Sequence, residues 1–211
     1  DIAEAAPLSD DLRGARQIVW AGMGGSAIGG DLLAATVGDQ LGIPVVPNRS
    51  YDLPSFVGPE TLVIAASYSG NTEETLSCVQ QAQAAGSKVF CVTTGGELKD
   101  VCVEQGLAHI VIPKGIQPRC GVLYLFTPVL TTLARLGYFS HDRLRQDGDE
   151  TANMLVAMAD AYAREDGQAY QLAKKLQGKM PVMYASTHLG AAVMRWQTQI
   201  NENSKMLAHY H

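Results

Sequence analysis

Short apolar segments of strand length alternate with longer helical patterns through the first half of the chain. Most of the short segments are rich in Val and Ile at consecutive positions, as strands buried on both faces require. Parallel strands need crossover connections, which the intervening helices supply, so the alternation predicts an α/β fold with a parallel sheet between helix layers. The predicted strands are Gln17–Ala21, Pro44–Pro47, Leu62–Ser67, Lys88–Thr93 and Ala108–Ile112, and the predicted helices between them are Ala27–Val37, Thr72–Ala85 and Glu97–Gln105.

After Pro118 the pattern changes. The segment Gly121–Leu136 predicts a helix that is too apolar for the surface, so we expect it to pack on the sheet or on a partner. The segment His141–Gly178 is more charged and also helical, and a break is expected at Asp147–Thr151.

A further apolar segment, Met180–Ala185, predicts another buried strand, and the amphipathic helix Leu189–Lys205 follows it. A single strand leaves both of its edges unpaired, so we expect the second domain to be truncated here. We therefore divide the chain into a first domain over residues 1–140, a helical connection over 141–178 and the beginning of a second domain over 179–211.

Composition and charge argue against several classes of protein. The net charge is −5 and Lys and Arg form no cluster, which argues against a nucleic-acid partner. No apolar run reaches the roughly 20 residues that span a bilayer, so no membrane partner is expected. The four cysteines form no C-x-x-C pair, so no metal site is predicted. The polar start contains no signal peptide, and the absence of an initiator Met predicts that the chain begins inside a longer gene product. The cysteine pattern, with Cys91 interpreted as a buried thiol, predicts a reduced, cytoplasmic protein.

A glycine-rich turn, Gly22–Gly30, follows the first predicted strand. Glycines let the backbone turn sharply and approach a ligand, and Ser26 is placed at the start of a helix, where free N–H groups favour an anion. A dinucleotide site is one alternative, but Ala27 replaces the last glycine of its fingerprint and no acidic residue ends the second strand. A turn that only serves packing is the other alternative.

A second loop, Ser67–Thr75, follows the third predicted strand with the sequence SYSGNTEET. Hydroxyls at Ser67, Ser69 and Thr72 flank a Gly–Asn turn, and such a turn presents several O–H and N–H donors to one phosphate. Helix capping by Asn71 or Thr72 is the alternative, but capping explains one hydroxyl and not three. Both loops follow carboxyl ends of strands, where open α/β sheets bind ligands.

Two further segments carry charged candidates. Arg119 follows Pro118 at the start of a helix, where the dipole disfavours a cation, so either a substrate oxyanion or a carboxylate is expected nearby. Glu202 lies on the last predicted helix between two Asn residues, which are poor helix formers, so it is either a solvated position or part of a site. The histidines at 209 and 211 stay open between catalytic, surface and strand positions.

Taken together, GMGGS, SYSGNTEET, the Pro–Arg pair and NENSK resemble the bifunctional phosphoglucose/phosphomannose isomerases, a family built from two sugar-isomerase (SIS) domains. The resemblance implies a SIS-type, flavodoxin-like three-layer domain followed by the start of a second SIS domain. It also implies a cytoplasmic homodimer of glycolysis and gluconeogenesis that needs no cofactor and no metal. By the family's motifs, Gly24, Gly25, Ser26, Ser67, Ser69 and Thr72 bind the sugar phosphate, Pro118 contacts the substrate, Arg119 stabilises the enediolate and Glu202 is the catalytic base.

The implied reaction interconverts glucose 6-phosphate and fructose 6-phosphate, with mannose 6-phosphate as a further substrate. Proton transfer between C1 and C2 through a cis-enediol needs a carboxylate base and stabilisation of an oxyanion. The family's His and Lys lie beyond the end of this sequence, so neither His209 nor His211 takes that role. The alternatives are a regulatory SIS module that binds a phosphosugar without converting it, a different phosphosugar enzyme, and a nicotinamide-dependent oxidoreductase.

Overall fold

The computed structural model describes residues 9–211, and residues 1–8 of the predicted first domain lie outside the described residues. The chain divides into two compact units, the first ending at Phe139 and the second spanning Ser140–His211. The three-part domain division stays a prediction. Within residues 9–211, no helix combines the length and the apolar character that crossing a membrane needs.

The first unit alternates strands and helices, as predicted. Strands β1 and β4 have the predicted bounds, and the other three strands differ from them by one residue at one or both ends. Helix α1 extends beyond Val37 because Leu41 is also buried and Gly42, with φ of 65°, supplies the left-handed residue that ends the helix. The elements are β1 (Gln17–Ala21), α1 (Ile28–Leu41), β2 (Val45–Asn48), β3 (Thr61–Ser67), α2 (Glu73–Ala84), β4 (Lys88–Thr93), α3 (Gly96–Gln105), β5 (Ala108–Val111) and α4 (Val122–Arg135).

The five strands form one parallel sheet in the order β2-β1-β3-β4-β5. The last residues of neighbouring strands lie side by side: Ala21 pairs with Asn48, and Ser67 pairs with Thr93. Because all five strands run in the same direction, the loops that follow them meet at one edge of the sheet. We call this edge the carboxyl edge.

Alternate residues of the strands point to two helix layers, which confirms the three-layer arrangement. On one face, Val63 and Cys91 join a buried cluster with residues of α2 and α3. On the other face, α1 packs against Trp20, and α4 contacts both α1 and β4. Leu133 of α4 is fully buried, so the prediction that this helix packs on the sheet is confirmed.

The second unit is mainly helical. Its two strands are short and pair with each other in parallel. The helix predicted over Leu189–Lys205 changes character along its length, from a 3-10 turn through an α-helix to a π-helical turn. The elements are α5 (His141–Ala163), α6 (Gln168–Leu176), β6 (Val182–Met183), the 3-10 turn Thr187–Leu189, α7 (Gly190–Gln199), the π turn Ile200–Ser204 and β7 (His209–Tyr210).

The break predicted at Asp147–Thr151 is wrong, because α5 runs through it without interruption. A glycine inside a helix costs only about 1 kcal/mol, which is too little to interrupt a helix of 23 residues. The Arg143 side chain lies 3.6 Å from the Asp147 carboxylate, and the Thr151 hydroxyl donates to the Asp147 carbonyl at 2.7 Å. The actual break falls after Ala163, before Gly167 starts the next helix.

The buried strand predicted at Met180–Ala185 is also wrong in length and in burial. Only Val182 and Met183 pair with another strand. Met180 is 56% exposed and Tyr184 is 78% exposed, whereas Met183 is buried. A two-stranded sheet that is covered on one side buries alternate residues, so an apolar run here does not indicate burial on both faces.

Candidate active site

The glycine turn after β1 forms a short 3-10 helix, Gly24–Ser26, at the carboxyl edge. Gly24 has φ of 51°, a conformation that favours glycine. The indole N–H of Trp20 donates to the backbone carbonyl of Ser26 at 2.8 Å and so fixes the end of the turn from inside the core.

The glycines on either side of this turn serve packing. A Cβ on Gly29 would overlap the Trp20 ring, and a Cβ on Gly30 would lie 2.8 Å from the Trp20 Cβ. A Cβ on Gly22 would lie 2.9 Å from the Ala66 carbonyl oxygen. The packing alternative therefore accounts for these three glycines, whereas Gly24, Gly25 and Ser26 face the open side of the turn and are only partly buried or exposed.

The hydroxyl-rich loop after β3 is held together by its own side chains. Ser67 is buried, and its hydroxyl lies 2.8 Å from the Thr72 hydroxyl and accepts the Gly70 N–H at 3.0 Å. The exposed Ser69 hydroxyl accepts the Asn71 N–H at 3.2 Å. The loop is thus pre-shaped, with Ser69 as its most accessible hydroxyl.

Helix capping does not explain these hydroxyls. Thr72 occupies the N-cap position of α2, but its side chain makes no hydrogen bond to that helix. The side-chain oxygen Oδ1 of Asn71 instead accepts the Glu97 N–H at 2.9 Å, in the first turn of α3. The first N–H groups of α2 are therefore left without a side-chain cap from Thr72, as a helix that receives an anion requires.

The two loops contact each other directly. The Ser26 hydroxyl accepts the backbone N–H of Tyr68 at 3.3 Å, which joins the glycine turn to the hydroxyl-rich loop. The Arg119 segment also lies next to the glycine turn, because the 3-10 turn Pro118–Cys120 contacts the turn Gly24–Ser26. All the candidate residues of the first unit therefore lie at the carboxyl edge: Gly24, Gly25, Ser26, Ser67, Ser69, Thr72, Pro118 and Arg119.

The loop after β4 belongs to the same edge, and the sequence interpretation missed it. The Thr94 hydroxyl donates to the Tyr68 carbonyl at 2.8 Å, and the Leu98 N–H donates to the Gly70 carbonyl at 2.8 Å. The Lys114 side chain also lies against this loop. A Cβ added to Gly95 would be 3.0 Å from the ammonium nitrogen of Lys114. The signal was available, because a Thr-Thr-Gly-Gly sequence at the end of a strand has the same hydroxyl and glycine content as the two recognised loops.

The loop after β2 is fastened to α2 beside the hydroxyl-rich loop. The Tyr51 hydroxyl donates to the Glu73 carboxylate at 3.1 Å, and this hydrogen bond raises the pKa of the tyrosine. The Tyr51 carbonyl accepts hydrogen bonds from Ser77 at 3.0 Å and from Gln81 at 2.7 Å. The Glu73 carboxylate, directly after Thr72, is therefore hydrogen-bonded to the loop that follows β2.

Three of the four cysteines, Cys78, Cys91 and Cys102, are buried, whereas Cys120 is exposed at the end of the Arg119 turn. Cys91 and Cys102 are fully buried, and the contact with Cys102, followed by burial, raises the pKa of the Cys91 thiol well above its ordinary value. Within residues 9–211, no group of three or more His, Cys, Asp or Glu side chains is placed to hold a metal ion.

Glu202 lies on the π turn of the second unit and is exposed. Single π-helical turns recur at functional sites, because the widened turn changes the direction in which its side chains point. Lys205, with φ of 54°, ends the turn in a left-handed conformation. The poor helix formers Asn201 and Asn203 both lie in this distorted segment, which the sequence predicted as part of a regular helix.

Asn201 has a structural role within this turn. The side-chain oxygen Oδ1 of Asn201 accepts the Ala208 N–H at 2.9 Å, and the side-chain amide of Gln197 donates to the Ala208 carbonyl at 2.8 Å. Ala208 is 1% exposed. The two amides hold both backbone groups of Ala208, so the chain from Glu202 to β7 is closed into a fixed loop.

We expect Asn201→Ala to destabilise the second unit by about 1–3 kcal/mol, since it leaves the buried Ala208 N–H without its acceptor. Urea unfolding followed by amide hydrogen exchange over residues 190–211 measures the loss. The matched control is Asn203→Ala, which removes an exposed amide from the same turn. Equal destabilisation by both variants would contradict the role assigned to Asn201.

His209 lies in β7 and is exposed, as is His211, which follows that strand. The structure therefore supports both the strand and the surface alternatives for His209, and the surface alternative for His211. The His211 ring stacks on Tyr184 with centroids 5.4 Å apart.

Known protein families match both units. A family model described as "SIS domain" matches residues 11–133, which is more than half of the chain. The chain belongs to the SIS domain family. A second model, described as "Bacterial phospho-glucose isomerase C-terminal SIS domain", matches residues 165–211 of this SIS-domain chain. The SIS-type fold predicted from the sequence is therefore confirmed.

Among similar proteins, the bifunctional phosphoglucose/phosphomannose isomerase of Caldicellulosiruptor bescii is 43% identical over 92% of this chain and 58% of its own length. The D-glucosamine-6-phosphate 4-epimerase of Sulfolobus acidocaldarius is 33% identical over 96% of this chain and 63% of its own length. The resemblance to the bifunctional isomerases is confirmed. The chain spans about three fifths of the length of these relatives.

Among solved structures, the C-terminal domain of glucosamine-fructose-6-phosphate aminotransferase from Francisella tularensis is similar, with a TM-score of 0.76. The alignment covers 96% of this chain and 59% of that chain at 13% sequence identity. At this identity the likeness shows the fold alone.

Proposed function

We propose that the complete protein containing this sequence is a phosphosugar isomerase that interconverts glucose 6-phosphate and fructose 6-phosphate, with mannose 6-phosphate as a further substrate. The observation that carries the proposal is the convergence of three loops at one edge, where Ser26 contacts Tyr68 and the Pro118–Cys120 turn contacts the Gly24–Ser26 turn. The names of the relatives support the same reaction.

In this proposal the phosphate lies over the first turn of α2. The N–H groups there and the hydroxyls of Ser26, Ser69 and Thr72 donate to its oxygens. Helix N-termini suit phosphate because their N–H groups and the positive end of the dipole face the anion. The phosphate is remote from the reacting carbons, so its binding energy serves to position C1 and C2.

The chemical step is a proton transfer through an enediol. Glu202 is the proposed base that takes the proton from one carbon and returns it to the other. Arg119 is the proposed cation that stabilises the negative oxygen of the enediolate, an interaction that strengthens as charge develops. Pro118 contacts the substrate next to Arg119. The step moves protons within one substrate, so we propose that it needs no cofactor and no metal.

We also propose a cytoplasmic homodimer that acts in glycolysis and gluconeogenesis. The support for the homodimer is the apolar helix α4, on which Leu123 is 47% and Tyr124 is 42% exposed. Exposed apolar residues on an otherwise buried helix suit contact with a second copy. Sedimentation of the purified protein tests this part of the proposal, because a monomer at micromolar concentration would contradict it.

Epimerisation of glucosamine 6-phosphate is a second candidate, favoured by the relative of that activity at 33% identity. The complete gene product should therefore be incubated separately with fructose 6-phosphate and with glucosamine 6-phosphate, and the products identified by NMR. Glucose 6-phosphate from the first substrate supports the isomerase. A galactosamine product from the second alone supports the epimerase. Binding of both without turnover supports the regulatory module.

A further inference from the structure

Tyr68 lies between Ser67 and Ser69 of the hydroxyl-rich loop. It contacts the loops that follow β1, β4 and β5 at the carboxyl edge. Its backbone N–H donates to the Ser26 hydroxyl at 3.3 Å. Its backbone carbonyl accepts the Thr94 hydroxyl at 2.8 Å and the Thr94 N–H at 3.2 Å. The Tyr68 backbone is therefore fixed relative to the loops that follow β1 and β4.

The Tyr68 side chain contacts the segment that carries Arg119. Its hydroxyl donates to the Pro113 carbonyl at 3.4 Å and accepts the Ile116 N–H at 3.2 Å. Its ring lies against Gly121, where an added Cβ would approach the ring carbons Cδ2 and Cε2 to 2.9 and 3.0 Å. Gly121 has φ of −83°, so its role here is to leave room for this ring and not to adopt an unusual backbone conformation.

These contacts enclose the Arg119 turn from both ends. Ile116 precedes the turn, and Gly121 follows it. Within the turn, the Cys120 N–H donates to the Gln117 carbonyl at 2.8 Å and the Gly121 N–H donates to the Pro118 carbonyl at 3.0 Å. The turn is thus internally rigid, and the Tyr68 side chain links that rigid unit to the hydroxyl-rich loop.

We propose that Tyr68 is a positioning residue that transmits the placement of the phosphate loop to Arg119, an inference that rests on the proposed function. A cation that stabilises a developing oxyanion must be placed before the reaction, because small displacements cost much of the effect. Tyrosine suits this role because its ring is rigid. Its backbone and its hydroxyl are also both held by hydrogen bonds to other loops.

Tyr68→Phe tests the proposal, because it keeps the ring against Gly121 and removes only the hydroxyl. We expect kcat for fructose 6-phosphate to fall about three- to tenfold, the range for one net hydrogen bond, while KM stays within about twofold. The affinity for 5-phosphoarabinonate, a carboxylate that mimics the enediolate, should fall by the same factor as kcat. A fall in kcat without a fall in this affinity would overturn the proposal.

Tyr138→Phe is the matched control. The Tyr138 hydroxyl makes the same kind of bridge, since it donates to the Leu12 carbonyl at 2.7 Å and accepts the Ala15 N–H at 3.0 Å. This bridge precedes β1, away from the carboxyl edge. We expect Tyr138→Phe to lower the stability of the protein without a change in kcat or in the affinity for the analogue. An equal loss of kcat in both variants would mean that removing either hydroxyl has the same general effect, and this result would overturn the proposal.

A double-mutant cycle with Arg119→Met identifies the residue through which Tyr68 acts. If Tyr68 positions Arg119, then Tyr68→Phe has no further effect on kcat once the guanidinium is absent. Multiplicative loss in the double variant would overturn the proposal, since Tyr68 would then act independently of Arg119.

Hydrogen exchange separates this inference from the proposed function. If the wild type shows no turnover, the isomerase is contradicted, and amide exchange over residues 116–121 is compared with and without fructose 6-phosphate. Added protection in the wild type that is absent in Tyr68→Phe supports the link between the two loops. The same response in both proteins overturns it.

Discussion

Replacing Glu202 by Gln is expected to lower the turnover of fructose 6-phosphate by about 10²–10⁴-fold, the usual contribution of a positioned general base. Glutamine keeps the size of the side chain and its ability to accept a hydrogen bond, but it cannot take a proton at neutral pH. Because the phosphate contacts proposed here come from the first unit, KM should change little. The coupled assay on the complete gene product measures both constants.

The matched control for this variant is Glu165→Gln. Glu165 is exposed in the same unit and lies between α5 and α6, outside the π turn. Glu165→Gln makes the same change in net charge as Glu202→Gln, so comparing the two variants separates the loss of the base from any effect of net charge on substrate binding. Wild-type turnover in Glu202→Gln would remove Glu202 from the mechanism, whatever the control shows.

Replacing Gly70 by Ala is expected to destabilise the first unit by about 2–5 kcal/mol, from left-handed strain and overpacking together. Gly70 has φ of 75°, which disfavours any Cβ. An added Cβ would also overlap the Gly95 carbonyl oxygen and lie 2.8 Å from the Thr93 hydroxyl. The loop must move to relieve this overlap, so phosphosugar binding should be lost with stability. Denaturant unfolding and calorimetric titration measure the two effects.

Gly38→Ala is the control with the opposite sign. Gly38 lies inside α1, and an added Cβ would meet no heavy atom within 4 Å. We expect this variant to gain about 0.5–1 kcal/mol, the ordinary preference of a helix interior for alanine over glycine. Similar behaviour of the two alanine variants would contradict the close approach of the loops after β3 and β4.

The sequence predicts the first unit well because its local signals agree with one another. Val-rich segments such as Lys88–Thr93 are too short for helices and too apolar for loops, so they have one consistent interpretation as buried strands. The hydroxyl-rich loop was equally readable, since three hydroxyls around a Gly–Asn turn exceed what helix capping needs. The convergence of Ser26 with Tyr68 then follows from parallel strands that end at one edge.

The sequence could not predict features that depend on contacts between segments. Tyr68 looks like an ordinary member of its motif, and its reach to Ile116 and Gly121 is visible only in the folded chain. In the second unit, the single glycine inside α5 does not break the helix, so the break predicted at Asp147–Thr151 is wrong. The π turn around Glu202 contains Asn201, whose side chain is hydrogen-bonded to Ala208, and neither feature has a periodic signature in the sequence.

The central claim is that the hydroxyl-rich loop holds the phosphate of the substrate, and calorimetric titration of fructose 6-phosphate into Ser69→Ala tests it most directly. Ser87→Ala is the control, because its hydroxyl donates to the Gly58 carbonyl at the opposite edge of the sheet. A hydrogen bond to a charged group is worth about 1.5–3 kcal/mol, so we predict affinity at least about tenfold weaker in Ser69→Ala and unchanged in the control. Wild-type affinity in Ser69→Ala would contradict the account.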